Sequence, residues 1–520
     1  MTMDKISSIP IVIGVTGHRD LRDDDIPQLR GIVHNELAKL QADYPHSPFV
    51  MLNSLAAGAD MLCAQEALNL GMRLVCPLPF EADEYRRDFE DADLETFESL
   101  LRHGDETFVA PVAEPVMPGR DFGYRQAGIY VATHCHVLLA LWDGSPGDAG
   151  GCGTGETVDF MLEGSYASAP PFDAEGDGAV IHISCPRQSR NQEIPITVEL
   201  IEEHVGSLHE TLARTDAFNA DCRSNPGVSA GSGLQGVCDA ADRLSMRFQA
   251  RYLRTLWALS LFCVLLVMAY LFYDEAYVNV MLIAWGTIII AYAVFYRLVI
   301  RGKYHQKYIQ YRVLAETLRV QISLSSLGIA ANVGSDFTWT QRHDITWVRK
   351  ALDAILIGAP APATATPDEV KATWIDDQRV YHEKAAKRDS GKLARSNRTT
   401  RTMFICTILL FLVITVLEYG FTDVMSSSVL GLELRAWGKI TWGSLTAVVV
   451  FVSGYYGRLS FERKAFDHEK MALLFAAASR RYEAVPEEYE TVFRDLAREE
   501  IIENGNWMSY CKEDRPTFSL

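Results

Sequence analysis

Past residue 250 the chain changes character. Four dense apolar runs, 255–273, 278–300, 402–420 and 438–457, follow a first half in which short β-branched stretches alternate with polar, helix-patterned ones. The first run, TLWALSLFCVLLVMAYLFY, has no ionisable side chain. As a helix it spans about 28 Å, the thickness of a bilayer core. The other three are of the same kind, so four transmembrane helices in two hairpins are predicted. Arg243, Arg247, Arg251 and Arg254 precede the first hairpin, and Arg297, Arg301, Lys303 and Lys307 close it. Arg395, Arg398 and Arg401 precede the second, and Arg458, Arg463 and Lys464 follow it. Arg435 in the second connection and Lys439 at the start of the fourth run weaken this bias without reversing it. The positive-inside rule therefore places both hairpin bases, the N-terminal domain and the C-terminus in the cytoplasm of a multi-pass plasma (inner) membrane protein.

Long helical segments flank the hairpins: 301–322 and 458–484 after them, and 374–400 before the second. Tyr304, Tyr308, Tyr311 and Ala315 recur at three- and four-residue steps, a stripe suited to a partner helix. Helix, hairpin, helix is thus a unit used twice.

Before residue 205 the apolar runs are shorter. PIVIGVTG, FVMLNSLA, RLVCPLP, HVLLALWDG and AVIHIS are continuous rather than alternating, and helical stretches at 26–42, 59–70, the acidic 81–98 and 155–163 separate them. Continuous strands between helices predict an α/β, Rossmann-like domain whose parallel sheet is covered on both faces. Ligands of open sheets sit beyond the carboxyl ends of the strands. Four loops fall there. In GVTGHRDL, Gly14 and Gly17 permit close backbone approach, while His18 and Arg19 offer donors to an anion. In NSLAAGAD, Ser54, Gly58 and Asp60 lead into a helix N-terminus suited to phosphate. CPLPFEADE ends a strand with prolines. WDGSPGDAGGCGTGETV carries Asp143, Gly144, Gly151, Gly153, Thr154 and Glu156. The competing reading is that any α/β domain needs turns at these places.

Charge and cysteine content narrow the partners. A net charge of −18 argues against nucleic acid, which needs a concentrated basic surface. The ten cysteines show no CxxC and no paired spacing, so a reducing compartment is expected, without metal or disulfide framework. His134-Cys135-His136 lies in the apolar run IYVATHCHVLLALW. There it reads as part of a buried strand, whose neighbours face opposite ways, rather than a complete ligand set. The N-terminus lacks the basic start and long apolar core of a signal peptide.

GVTGHRDL, SLAAGAD and WDG…GGCGTGETV, in that order, resemble the SLOG superfamily, which includes LOG phosphoribohydrolases, DprA-like proteins and the N-terminal sensing region of TRPM channels. The resemblance implies contact with a nucleotide-derived ligand, ADP-ribose-like or cyclic, by Gly14, Thr16, Gly17, His18, Arg19, Ser54, Gly58, Asp60, Gly151, Gly153, Thr154 and Glu156. It implies no other cofactor. The chain departs from the enzymes' Pro-Gly-Gly-x-Gly-Thr-x-x-Glu pattern: Ala149 replaces the proline, Thr157 stands at the closing glutamate, and Glu156 is one place early. If the domain is an enzyme, Glu156 and Arg125, the latter in FGYRQAG, are its catalytic candidates. Gln378, Tyr381 and Lys384 before a hairpin and YRVLAETLR after one are similar to the SLATT family of two-transmembrane effectors. That likeness implies a membrane-disrupting or pore-forming role in prokaryotic antiphage defence.

The expected organisation is 1–205 as sensing domain, 206–242 as linker and 243–330 as first hairpin module. A second linker, 331–370, then leads to the second hairpin module, 371–520. A homo-oligomer is expected because four spans make too slight a bundle for a pore.

Overall fold

The computed structural model describes residues 8–146, 153–164, 166, 178–190, 193–202, 206–225, 233–276, 278–358 and 362–513, the side chains of 343 and 513 excepted. Two compact units emerge. The first comprises Met1–Leu244, Gln310–Thr364 and Ala497–Ser509, and the second comprises Ser245–Ile309, Ala365–Leu496 and Tyr510–Leu520.

The first unit is built on β1 (Ile11–Gly17), β2 (Phe49–Leu52), β3 (Arg73–Leu78), β4 (Glu106–Val109), β5 (Val137–Trp142), β6 (Ala179–Ser184) and β7 (Val198–Glu202). Between and after them run α1 (Ile26–Asp43), α2 (Ala59–Asn69), α3 (Ala82–Tyr85), α4 (Asp91–His103), α5 (Arg120–His134), α6 (Thr154–Glu163) and α7 (Ser207–Arg223). The sheet order is β4-β3-β2-β1-β5-β6-β7. Every pairing is parallel except β6 with β7. The sheet is therefore mixed rather than wholly parallel. β7, whose Val198 and Leu200 are exposed, escapes a search for continuous apolar runs because only a buried parallel strand is apolar on both faces.

Ile11, Ile13 and Val15 pack with Leu29, Val33 and Leu37, one stripe of α1, and with Ala59 and Cys63 of α2. The opposite face is covered by α5, which lies so close to β1 that a Cβ on Gly14 would stand 2.8 Å from both Val131 Cγ1 and Cys135 Sγ. The apolar run around His134-Cys135-His136 is not one strand. α5 ends at His134 and β5 begins at Val137. His136 Nδ1 accepts from the Val12 backbone N–H at 3.1 Å, and burial lowers this imidazole's pKa to about 3. Among the described residues no group of three metal-ligating side chains exists.

The rest of the chain is helical: α8 (Gly233–Ala276), α9 (Val280–Gly302), α10 (Tyr304–Ser326), α11 (Trp339–Ile355), α12 (Pro367–Val370), α13 (Asp377–Gly420), α14 (Thr422–Met425), α15 (Leu434–Arg458), α16 (Phe461–Ala484) and α17 (Tyr489–Glu513). A short hairpin of β8 (Ser428–Val429) and β9 (Leu432–Glu433) precedes α15. α7 and α11 lie in segments read from sequence as linkers. Four helical stretches are long and apolar enough to cross a membrane, and α9 has no buried residue at all. In the second unit Gly443 lets α15 approach α8: a Cβ there would lie 2.7 Å from Leu271 Cδ1. Glu275 pairs with Lys439 at 3.0 Å and Glu418 with Arg435 at 2.8 Å. The tyrosine stripe divides its contacts. Tyr304 and Tyr308 meet Phe248 and Gln249 of α8, while in the first unit the buried Tyr311 donates to Asp221 of α7 at 2.7 Å.

Candidate functional site

β1 leads away to β2 on one side and β5 to β6 on the other, so the carboxyl ends of β1 and β5 flank the topological switch point, where open sheets form their crevice. The first loop there is Gly17-His18-Arg19. His18 N–H donates to the Leu141 carbonyl at 3.1 Å, and the His18 carbonyl accepts from Ala59 N–H at 3.1 Å, so the loop is tied to β5 and to the start of α2. Asp143 N–H donates to His18 Nε2 at 3.0 Å. Asp143 Oδ1 also lies 3.1 Å from Nε2, but the amide is an obligate donor. Nε2 is therefore an acceptor, and the ring is neutral with its proton on Nδ1. Burial lowers the His18 pKa against the pull of Asp143, in keeping with that tautomer.

Asp143 is itself fully engaged. Its Oδ1 accepts from Ser145 N–H at 3.0 Å, and Oδ2 pairs with Arg190 at 3.0 Å. Although burial opposes it, hydrogen bonds from Ser145 hold its pKa down. Gly144 takes a φ of +80° and turns the chain in open space, the one place among the described residues of this loop where left-handed backbone calls for glycine.

A fifth strand-end loop, after β6, was not singled out by sequence. Arg187 Nε pairs with Asp20 at 3.0 Å, Ser189 donates to the same carboxylate, and Gln188 N–H donates to the Asp20 carbonyl at 2.8 Å. With Arg190 on Asp143, this loop links the ends of β1 and β5. Its signal was legible: CPRQSRN puts two arginines directly after a strand.

The glycines of the first two loops serve packing. A Cβ on Gly17 would lie 2.3 Å from Ala59 Cβ. Gly58 has a φ of +77°, and a Cβ there would lie 2.4 Å from the Arg19 carbonyl oxygen. Gly14, expected in the strand-end loop, stands inside β1 under α5, and Thr16 is likewise a nearly buried strand residue. Between β2 and α2, the buried Asn53 organises the turn. Its Oδ1 accepts from Leu55 N–H at 2.7 Å and its Nδ2 donates to the Asp60 carbonyl at 2.8 Å, which holds Leu55 at a φ of +57°. Strain of that kind persists where surroundings over-determine it. Ser54 is half-buried beside it. The Asp60 carboxylate accepts from Ala56 N–H at 3.3 Å, and burial raises its pKa to about 7 against that bond and against Arg19. Arg19 is exposed, its guanidinium 5.0 Å from the Tyr124 ring centre.

Gly153 caps the N-terminus of α6, with open space where its Cβ would be, and half-buried Thr154 opens the helix. Gly151 lies outside the described residues. In the first turn of α6, Glu156 reaches the Arg125 guanidinium on α5. Arg125 also holds Glu114 through Nε at 2.7 Å and the far nitrogen at 3.0 Å, and it sits 4.7 Å from the Phe160 ring centre. Gln126 donates to Glu114 at 3.1 Å. All three charged side chains are nearly buried, two carboxylates to one guanidinium, and Glu156 Oε2 has no partner among the described residues. Burial raises the Glu156 pKa despite Arg125. Thr157, one place on, faces α5 instead: a Cβ on Gly128 would be 2.9 Å from its Oγ1. Glu114 is the functional candidate that sequence missed, since AEPVMPG reads only as a loop.

The site thus comprises the loops after β1, β5 and β6 knitted into one edge, with the start of α6 carrying a charged cluster beside it. Such an edge offers free helix-terminal amides and an exposed arginine to an anion. The chain matches no protein-family model and no curated protein.

Proposed function

We propose that the protein is a ligand-responsive membrane effector: a nucleotide-derived molecule, ADP-ribose-like or cyclic, binds at the strand-end edge and biases the four apolar helices. The observation that carries this is the presence, in one chain, of interlocked loops at a switch point and four helices whose apolar surface is largely uncovered. Uncovered apolar area of that extent calls for lipid or further subunits. We place it in a plasma (inner) membrane as a homo-oligomer with both termini cytoplasmic. The likeness to SLOG and SLATT proteins adds a channel or membrane-disrupting outcome in antiphage defence. Coupling requires the ligand to bind one state more tightly, typically by about 1–3 kcal/mol.

The test is dye or ion release from liposomes carrying the whole protein, against a panel of nucleotides including ADP-ribose and cyclic ones. Release should follow one ligand and be lost in Gly153→Asp, which places a carboxylate at the α6 N-terminus without crowding. Ligand-independent release, or release unchanged by that substitution, overturns the reading.

One observation favours a second reading, a membrane-tethered nucleotide phosphoribohydrolase: Arg125 stands beside Glu156, whose Oε2 has no partner among the described residues. A carboxylate set against a developing sugar cation is what N-glycosidic cleavage needs. Release of free base from a nucleoside monophosphate, abolished by Glu156→Gln, would decide for it.

A further inference from the structure

Away from the strand-end edge, the first unit carries a half-open cavity of about 690 Å³. Its walls include the last turn of α5, Gln321 and Ser325 of α10, the turn 328–335, and the end of α11 with Lys350 and Ile357. That volume suits a small molecule. None of His18, Asp143, Gly153 or Glu156 lines it. The α5 end of the cavity is at the amino edge of the sheet, where His136 N–H bonds to the Val12 carbonyl at 2.9 Å.

Its charges leave a surplus. Arg349 and Asp353 line it with opposite signs, and Asp353 accepts from Asn332 at 2.6 Å. Lys350 adds a second cation. Its Nζ donates to the Cys135 carbonyl at 3.0 Å, which consumes one of three ammonium protons, and no carboxylate of the described residues pairs with it. His134 stacks on Tyr130, the rings 4.0 Å apart and 16° from parallel. His134 Nδ1 donates to the Tyr130 carbonyl at 3.0 Å. Burial holds this imidazole neutral, so Nε2 is an acceptor, and it has no partner among the described residues. The Tyr130 hydroxyl is fixed by Gly358 N–H at 3.0 Å, which locks the stack in place. Ile129, Phe160, Met161 and Ile357 supply apolar wall.

We propose that this cavity binds a planar, anionic small molecule, its carboxylate or phosphate on Lys350 and its ring beside Tyr130 and His134. The unspent ammonium protons select an anion, the stacked rings select a flat body, and His134 Nε2 accepts from a ring amine or hydroxyl. Gln321 and Ser325 belong to the helix that follows the second apolar helix, so the occupant would touch an element directly continuous with the hairpin.

The test is isothermal titration of the full chain in detergent with two probes, AMP for the phosphate class and 2-aminobenzoate for the carboxylate class. At least one should bind once per chain at millimolar concentration or below. Lys350→Met should weaken it about tenfold or more, as loss of a charge-assisted bond does, and Gly153→Asp should leave it unchanged. If Lys350→Met lowers the melting temperature, Ile357→Trp, which adds bulk at an apolar lining position, must abolish binding in its place. Absence of saturable binding by both probes, or affinity indifferent to both cavity variants, overturns the proposal. Loss of binding in Gly153→Asp alone would assign the probe to the strand-end edge.

Discussion

The Asp143 backbone N–H donates to His18 Nε2 at 3.0 Å, joining the loop after β1 to the loop after β5 across the switch point of the sheet. The bond orders both loops at once and fixes the histidine as neutral. His18→Phe keeps the volume and leaves a nearly buried amide without an acceptor, a cost of about 1–3 kcal/mol. The melting temperature of the full chain should fall by roughly 1–5 °C. An unchanged melting temperature would show that the bond organises nothing.

Gly58 and Gly144 both have positive φ, yet only Gly58 is crowded. Gly144→Ala should cost about 1 kcal/mol, the price of a left-handed alanine. Gly58→Ala adds a collision with the Arg19 carbonyl and should cost at least about 2 kcal/mol more, or prevent folding. Denaturation of the two variants side by side measures the difference, and equal losses would refute the close packing of loop on helix.

Arg125→Met strands the carboxylates of Glu114 and Glu156 in a nearly buried site. Removing one partner of a buried pair costs about 3–5 kcal/mol. Because protonation relieves an uncompensated carboxylate, the deficit should be smaller at pH 5 than at pH 8. Adding Glu114→Gln and Glu156→Gln should recover much of it. A pH-independent deficit would place its origin in lost packing on Phe160.

Asp60 gives a pH dependence of definite sign. Burial raises its folded pKa to about 7, above the unfolded value of 3.8. Between those values the folded chain binds more protons, so stability is greatest below the unfolded pKa and is lost as pH rises through 7. The full swing is on the order of 4 kcal/mol. Asp60→Asn should therefore raise the melting temperature at pH 8 and change it little at pH 4, because asparagine still accepts from Ala56 N–H. Equal shifts at both pH values would contradict the assignment.

Much of this architecture is written in local pattern. β1, β3, β5 and β6 are continuous apolar runs, α1 carries Leu29, Val33 and Leu37 at four-residue steps, and the four apolar stretches became parts of long helices. The run through His134-Cys135-His136 divides between a helix end and a strand, and a short apolar segment suits either. α7 has weak periodicity, yet its Phe218 and Thr215 are fully buried. Gly14 stands inside β1, and the use of Gly14, Gly17 and Gly58 in packing depends on neighbours remote in sequence.

By itself the sequence determined the buried parallel strands β1, β3, β5 and β6 and the apolar helices, because periodicity and turn chemistry are properties of adjacent residues. Only the tertiary structure decided that His18 meets Asp143, that Arg187 and Arg190 cross to Asp20 and Asp143, and that Glu114 shares Arg125 with Glu156. It also decided that Lys350 faces a cavity beside His134. Those pairings join positions 11 to 216 residues apart, and their energies depend on burial and on distances of about 3 Å that no local pattern encodes.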